Sequence, residues 1–113
     1  MRAKHEPVCK VYADGSKAWY INDKLHREDG PAVDCANGTK YWYLNGKRHR
    51  EDGPAIENAN GDKYWYLNGE LHREDGPAIE HADGSKRWYI NGEPYTPSAH
   101  EIIIYKMKYG IKD

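Results

Sequence analysis

The sequence predicts a mainly β protein: an elongated, twisted antiparallel sheet of about eight strands, made of repeated β-hairpins and closed by a C-terminal helix. Three observations predict it. Trp19, Trp42, Trp65 and Trp88 recur every 23 residues. Ten of the eleven glycines occupy fixed positions of that repeat, which places the turns. The segments between the turns alternate and favour strands. A period of this length marks supersecondary units that bury their faces by stacking.

The 113 residues suit a single domain. Residues 1–12 form an N-terminal half unit, and 13–35, 36–58 and 59–81 are full repeats. Residues 82–97 are a partial repeat and 97–109 the capping helix. Each complete unit reads Ala, Asp/Asn, Gly, x, Lys, x, Trp, Tyr, Leu/Ile, Asn, Gly/Asp, x, x, His, Arg, Glu, Asp, Gly, Pro, Ala, Val/Ile, Asp/Glu, x. Val8–Tyr12 pairs back on Lys17–Ile21. In the third unit Asn60-Gly61 suits a two-residue type I′ hairpin, whose central residues take positive φ. That turn sets Glu57 opposite Tyr64, Ile56 opposite Trp65 and Ala55 opposite Tyr66. Because side chains alternate across a sheet, one face then carries an Ile/Val–Trp core: Val33–Trp42, Ile56–Trp65 and Ile79–Trp88. The other face is rich in Tyr. Asn68-Gly69 ends the second strand, and Glu70–Pro77 turns the corner to the next hairpin. Pro31, Pro54 and Pro77 lack an N–H and suit corners better than sheet interiors. Thr96 can cap the helix with Pro97 at its first position, and Ser98 with Glu101 offers a capping box instead. The helix is placed over the last sheet edge, which would otherwise invite strand addition.

Composition narrows the function. Leu, Ile, Val and Phe total fifteen, about 13% of the chain, a fraction that alone would suggest disorder. Seventeen basic and eighteen acidic residues nearly cancel, and ten Tyr and four Trp supply the missing apolar area. Each packed ring buries about 150–250 Å². A net charge of −1 argues against nucleic-acid binding, which needs a cationic surplus. The longest apolar run, Ile102–Tyr105, is far short of the roughly 20 residues that span a bilayer. Met1–Pro7 lacks the apolar stretch of a signal peptide. The expectation is a soluble, cytoplasmic protein.

Asn45-Gly-Lys-Arg-His49, the Gly-containing corner after it and Asn60-Gly-Asp-Lys-Tyr64 resemble the MORN repeat, a 23-residue hairpin unit that stacks into a twisted antiparallel sheet. With His-Arg-Glu-Asp-Gly-Pro-Ala corners and a Trp-Tyr-Leu/Ile-Asn-Gly strand, residues 8–97 are most similar to the variant of bacteriophages and large DNA viruses. Two departures stand out: Tyr43 or Tyr66 replaces the usual strand Gly, and Arg replaces the corner Gly after His. The resemblance implies a protein-binding module, and for a phage or viral protein it implies a host factor, such as a defence protein, as the partner in the host cytoplasm.

Four candidate sites are weighed. The repeated His26–Asp29, His49–Asp52 and His72–Asp75 corners could hold a metal or do acid–base chemistry. Equivalent His residues stand roughly 9.6 Å apart, two strand spacings, whereas ligands of one zinc lie about 2.1 Å from it. The corners therefore read as structural, with no metal and no cofactor expected. Cys9 and Cys35 sit too far apart for a disulfide and have no fixed His partner for nucleophilic work. Lys17, Lys40, Lys63 and Lys86 form a ladder beside the Trp row, read as stems packed on aromatic surface. An anionic membrane is disfavoured by the acids at every corner. The Tyr face is the strongest candidate: Tyr41, Tyr43, Tyr64 and Tyr66, extended by Tyr20 and Tyr89, with Arg87 in a Tyr position and Glu80 facing it. Tyr and Arg are frequent interface anchors. The expected function is non-catalytic protein binding; the alternatives are a self-associating structural viral protein and an enzyme using the corners.

Overall fold

The computed structural model describes residues 6–111; residues 1–5 of the N-terminal half unit lie outside them. The molecule measures 53 × 26 × 22 Å. Among the described residues fourteen short strands precede one helix. They are β1 (Val8–Val11), β2 (Lys17–Ile21), β3 (Lys24–Leu25), β4 (Val33–Asp34), β5 (Lys40–Tyr41), β6 (Tyr43–Leu44) and β7 (Lys47–Arg48). The rest are β8 (Ile56–Glu57), β9 (Lys63–Tyr64), β10 (Tyr66–Leu67), β11 (Glu70–Leu71), β12 (Ile79–Glu80), β13 (Lys86–Ile90), β14 (Glu93–Tyr95) and α1 (Ala99–Tyr109). The main sheet runs β1-β2-β4-β5-β8-β9-β12-β13-β14, with β3 beside β2; β6–β7 and β10–β11 are separate ribbons. All pairs are antiparallel, as the repeat predicts, but each long strand of the expected eight is broken in two at its Trp in the middle units. No helix among the described residues is long and apolar enough to cross a membrane.

The two Asn-Gly turns exchange the roles expected of them. Gly61 has φ +101° while Asn60 keeps a negative φ, so this is not a type I′ turn. The Asn60 side chain accepts the Asp62 N–H at 3.0 Å, which holds Asn60 in a local side-chain turn. Gly61 N–H donates to the Asn58 carbonyl and Asn58 N–H to the Asp62 carbonyl, both at 2.9 Å. The loop thus spans three residues with glycine at the positive-φ bulge. The type I′ turns lie at Asn22-Asp23, Asn45-Gly46, Asn68-Gly69 and Asn91-Gly92, where both residues have positive φ.

One added loop residue shifts the register and moves side chains to the other face. Ile56 pairs with Tyr64 and Glu57 with Lys63, correcting the expected Ile56–Trp65 and Glu57–Tyr64 pairs. Ile79 faces Arg87, and Glu80 faces Lys86 rather than Arg87. One face of the main sheet therefore carries Ala18, Val33, Tyr41, Ile56, Tyr64, Ile79 and Arg87. The opposite face alternates Lys17, Asp34, Lys40, Glu57, Lys63, Glu80 and Lys86.

Nor is the core an Ile–Trp row. Its most buried line is Ala32, Ala55 and Ala78, each 0% exposed, joined by Pro77, Ile56 and Ile79. The backbone N–H groups of Trp19, Trp42 and Trp65 donate to the carbonyls of Ala32, Ala55 and Ala78 at 2.7–2.8 Å.

Helix α1 begins two residues later than expected. Ser98, not Thr96, is the N-cap, and Ser98 and Glu101 form the capping box; Gly110 ends the helix at φ 66°. At the position of Arg27, Arg50 and Arg73 the fourth unit has Thr96. Tyr105 takes over by lying edge-on to Trp88, centroids 6.2 Å apart, with its hydroxyl donating to Glu80 at 3.2 Å. Burial, reinforced by the Glu80 charge, pushes the Tyr105 phenol up to about 12. The unfolded value is about 10, so the folded state keeps the proton longer. This contribution is fully present below about pH 10 and is lost as pH rises through 12. Helical circular dichroism should fall over that window, and Glu80→Gln should narrow it. A signal independent of Glu80 would refute the linkage.

Candidate functional site

The His-Arg-Glu-Asp-Gly-Pro corner is an arginine clip repeated three times. Arg27, Arg50 and Arg73 lay their guanidinium groups on Trp19, Trp42 and Trp65, 3.9–4.0 Å from the ring centroids. Each Nε donates to the Asp two residues on, at 3.0–3.1 Å, and each Nη1 to the Pro carbonyl four residues on. The corner glycine is required by this clip: a Cβ at Gly30, Gly53 or Gly76 would lie 2.8–2.9 Å from the guanidinium carbon. Arg50 and Arg73 also reach Glu57 and Glu80 on the sheet at 3.2 and 2.7 Å.

The corner histidines are links between units. Nδ1 of His26, His49 and His72 accepts the N–H of Asn45, Asn68 and Asn91, 2.9–3.0 Å away and 19 residues on. One ring nitrogen of each is thus committed to the next unit's type I′ turn. Among the described residues no group of three or more His, Cys, Asp and Glu is arranged to hold a metal. Cys9 and Cys35 are both free thiols.

A second link escapes the sequence reading. Ser16, Thr39 and Asp62 stand at one variable position, yet the side-chain oxygen of each accepts the N–H of Ala36, Ala59 or Ala82, at 2.7–3.1 Å. The signal was available: the position changes residue but always keeps an acceptor.

The anticipated Tyr surface is only partly assembled. Tyr41 and Tyr64 flank Ile56, and Tyr64 flanks Ile79 opposite Arg87. Tyr64 also packs edge-on against His81, at 6.1 Å. Tyr20 lies near the N-terminal end, its hydroxyl 3.3 Å from that of Tyr12. Tyr89 pairs with Pro94 at the other end. All six tyrosines are half-buried, whereas Arg87 is exposed. Tyr43 and Tyr66 meet around a residue not anticipated, Arg48. Arg48 pairs with Tyr43 across β6–β7 and lies 5.4 Å from the Tyr66 ring centroid. The Tyr43 hydroxyl, aided by Tyr66, holds its guanidinium above the ordinary value despite partial burial. Its Nε is buried without a hydrogen-bond partner. Leu25 and Leu71 occupy this position in the neighbouring units; a lone cation among leucines was the sign that singles it out.

On the clip side, consecutive corners enclose two grooves. The larger, about 550 Å³, has Trp65 and Leu67 as its apolar wall and Glu51, Asp52, Glu74 and Asp75 among its rim. The smaller, about 380 Å³, repeats this with Trp42, Leu44, Glu28, Glu51 and Asp52. Comparison with protein-family models, with curated proteins and with solved structures finds no match for this chain.

Proposed function

We propose that the protein is a non-catalytic protein-binding module of MORN-like repeats. The observation that carries this reading is the Tyr43–Arg48–Tyr66 cluster. A half-buried cation with an unsatisfied Nε, held between two aromatic rings on a sheet, has the composition of an interface anchor. A sheet cross-linked at every unit presents it with little ordering cost on binding. Tyr41, Tyr64 and Arg87 extend the surface, with Tyr20 and Tyr89 at its ends. The resemblance to phage and viral repeats supports a host factor, such as a defence protein, as the partner in the host cytoplasm.

The test is capture of a stoichiometric partner with the tagged protein, followed by the Tyr43→Thr/Tyr66→Thr variant. Thr keeps strand preference while removing the ring. The variant should melt cooperatively yet bind at least about tenfold more weakly, because an anchor contributes about 2 kcal/mol or more. Arg87→Ala should cause a smaller loss, felt most at low salt. A folded double variant with full affinity would remove the Tyr surface from recognition. A second reading, self-association, is favoured by β1, whose four residues are all exposed on an open edge. It predicts a concentration-dependent mass in sedimentation that Val11→Lys abolishes.

A further inference from the structure

The third corner shows which chemistry fits the clip side. Asp75 gives one carboxylate oxygen to Arg73 and the other to Lys108 and Tyr109 of α1, both at 2.8 Å. Burial alone would raise the Asp75 pKa, but Lys108, Tyr109 and Arg73 outweigh it and hold the carboxyl well below the usual range. The equivalent Asp52 and Asp29 make the arginine bond, with no Lys or Tyr bonded to them among the described residues. Their side chains are 84% and 88% exposed, against 46% for Asp75. Glu51 and Glu74 are likewise exposed, with His49 and His72 Nε2 at 4.0 and 3.8 Å. The guanidinium groups of Arg27, Arg50 and Arg73 also line the grooves, but each is stacked on a Trp ring and already bonded to its own Asp, which leaves the glutamates unbalanced. A ligand approaching the grooves thus meets carboxylates beside an apolar wall of Trp42–Leu44 or Trp65–Leu67. The chain meets the last of these aspartates with its own basic and aromatic side chains, Tyr109 also lining one end of the larger groove, and leaves Asp29 and Asp52 uncovered.

Spacing selects the ligand's backbone. Equivalent corners recur every two strands, about 9.6 Å. A polyproline-II helix has three residues per turn and rises about 3.1 Å per residue, so residues three apart project from one side every 9.3 Å. In a β-strand, residues three apart point to opposite sides. An α-helix returns to one face every seven residues, about 10.5 Å, which drifts out of step with the corners faster than the polyproline-II repeat does. Polyproline-II segments also dock in aromatic-lined grooves with little loss of conformational entropy.

We propose that the row of grooves along the clip side docks a partner segment in polyproline-II conformation carrying Arg or Lys at every third residue. Its cations meet Glu28, Glu51 and Asp52, and Glu74 in turn, while the intervening prolines lie against the Trp–Leu walls. The inference deepens the protein-binding reading and adds a surface separate from the Tyr43–Arg48–Tyr66 cluster.

The probe is a fluorescein-labelled peptide of four Arg-Pro-Pro units, titrated into the full chain by anisotropy. The control has four Arg-Pro-Pro-Pro units, with equal charge in the wrong period. Saturable binding is expected for the first peptide, with the control about tenfold weaker. The Glu28→Gln/Glu51→Gln/Glu74→Gln variant removes none of the clip hydrogen bonds. It should keep the wild-type melting temperature and bind about tenfold more weakly, the combined effect of three exposed ion pairs. Should that variant fail to fold, the two peptides and the salt dependence in the unaltered protein decide alone. Equal affinity for both peptides, no saturable binding, or an unaffected triple variant would each overturn the proposal. So would loss of the peptide in Tyr43→Thr/Tyr66→Thr. A captured partner that still depends on Tyr43 and Tyr66 while the peptide fails to bind leaves the protein-binding reading standing and removes only the grooves.

Discussion

Replacing Arg73 with Ala is expected to lower the unfolding free energy by about 3–5 kcal/mol, the range for removing one partner of a buried ion pair. Its side chain is 6% exposed and serves Asp75, Glu80 and the Pro77 carbonyl while covering Trp65. Truncation removes the bond to the Pro77 carbonyl, strips one partner each from Asp75 and Glu80, and uncovers the half-buried Trp65 ring. Arg73→Lys should not rescue the loss, because an ammonium neither stacks flat nor forks to several acceptors. The loss should shrink toward the N-terminus. Arg50 makes the same set of bonds with more exposure, and Arg27 is bonded to Asp29 and Pro31 without a sheet carboxylate. Urea unfolding of the three Ala variants measures this gradient. Equal losses at all three corners, or less than about 1 kcal/mol at Arg73, would show that the clip is ornamental.

The Trp65→Ala variant should also lose about 3–5 kcal/mol, as large aromatic truncations do, although its ring is only half-buried. The reason differs from simple core packing: the ring is the platform on which Arg73 is held. Arg73→Ala and Trp65→Ala should therefore be strongly non-additive in a double-mutant cycle. Simple additivity would mean that stacking contributes nothing beyond burial.

How much could be read from the sequence follows from what each residue type constrains. The 23-residue period, the hairpins, the antiparallel order and the terminal helix were all legible, because glycine, proline and asparagine punctuate the chain at fixed places. The register was not. Asn60-Gly61 and Asn68-Gly69 are the same dipeptide, yet only the second has positive φ at both residues. The choice is made by the Asp62 N–H, which the Asn60 side chain captures, and by the Gly69 N–H, which bonds the Arg48 carbonyl of the preceding unit. The first contact is local, but the second joins two units and is invisible to a local rule. The displaced register carried the face assignment with it, so Ile56 was placed with Trp65 instead of Tyr64. Among the binding candidates, the tyrosines were found by composition. Arg48 required comparison of the copies with one another.

The links between units join a residue to one 19–21 residues on, in the next unit: His26 to Asn45, Ser16 to Ala36, Leu25 to Gly46. Each unit is therefore completed by its successor, and only the last needs a different ending, which α1 supplies. An in-frame duplication of one repeat's coding segment would insert a unit whose donors and acceptors already match on both sides. Array length is for this reason a heritable quantity that can change in a single recombination event, lengthening the protein like a ruler while leaving both ends intact.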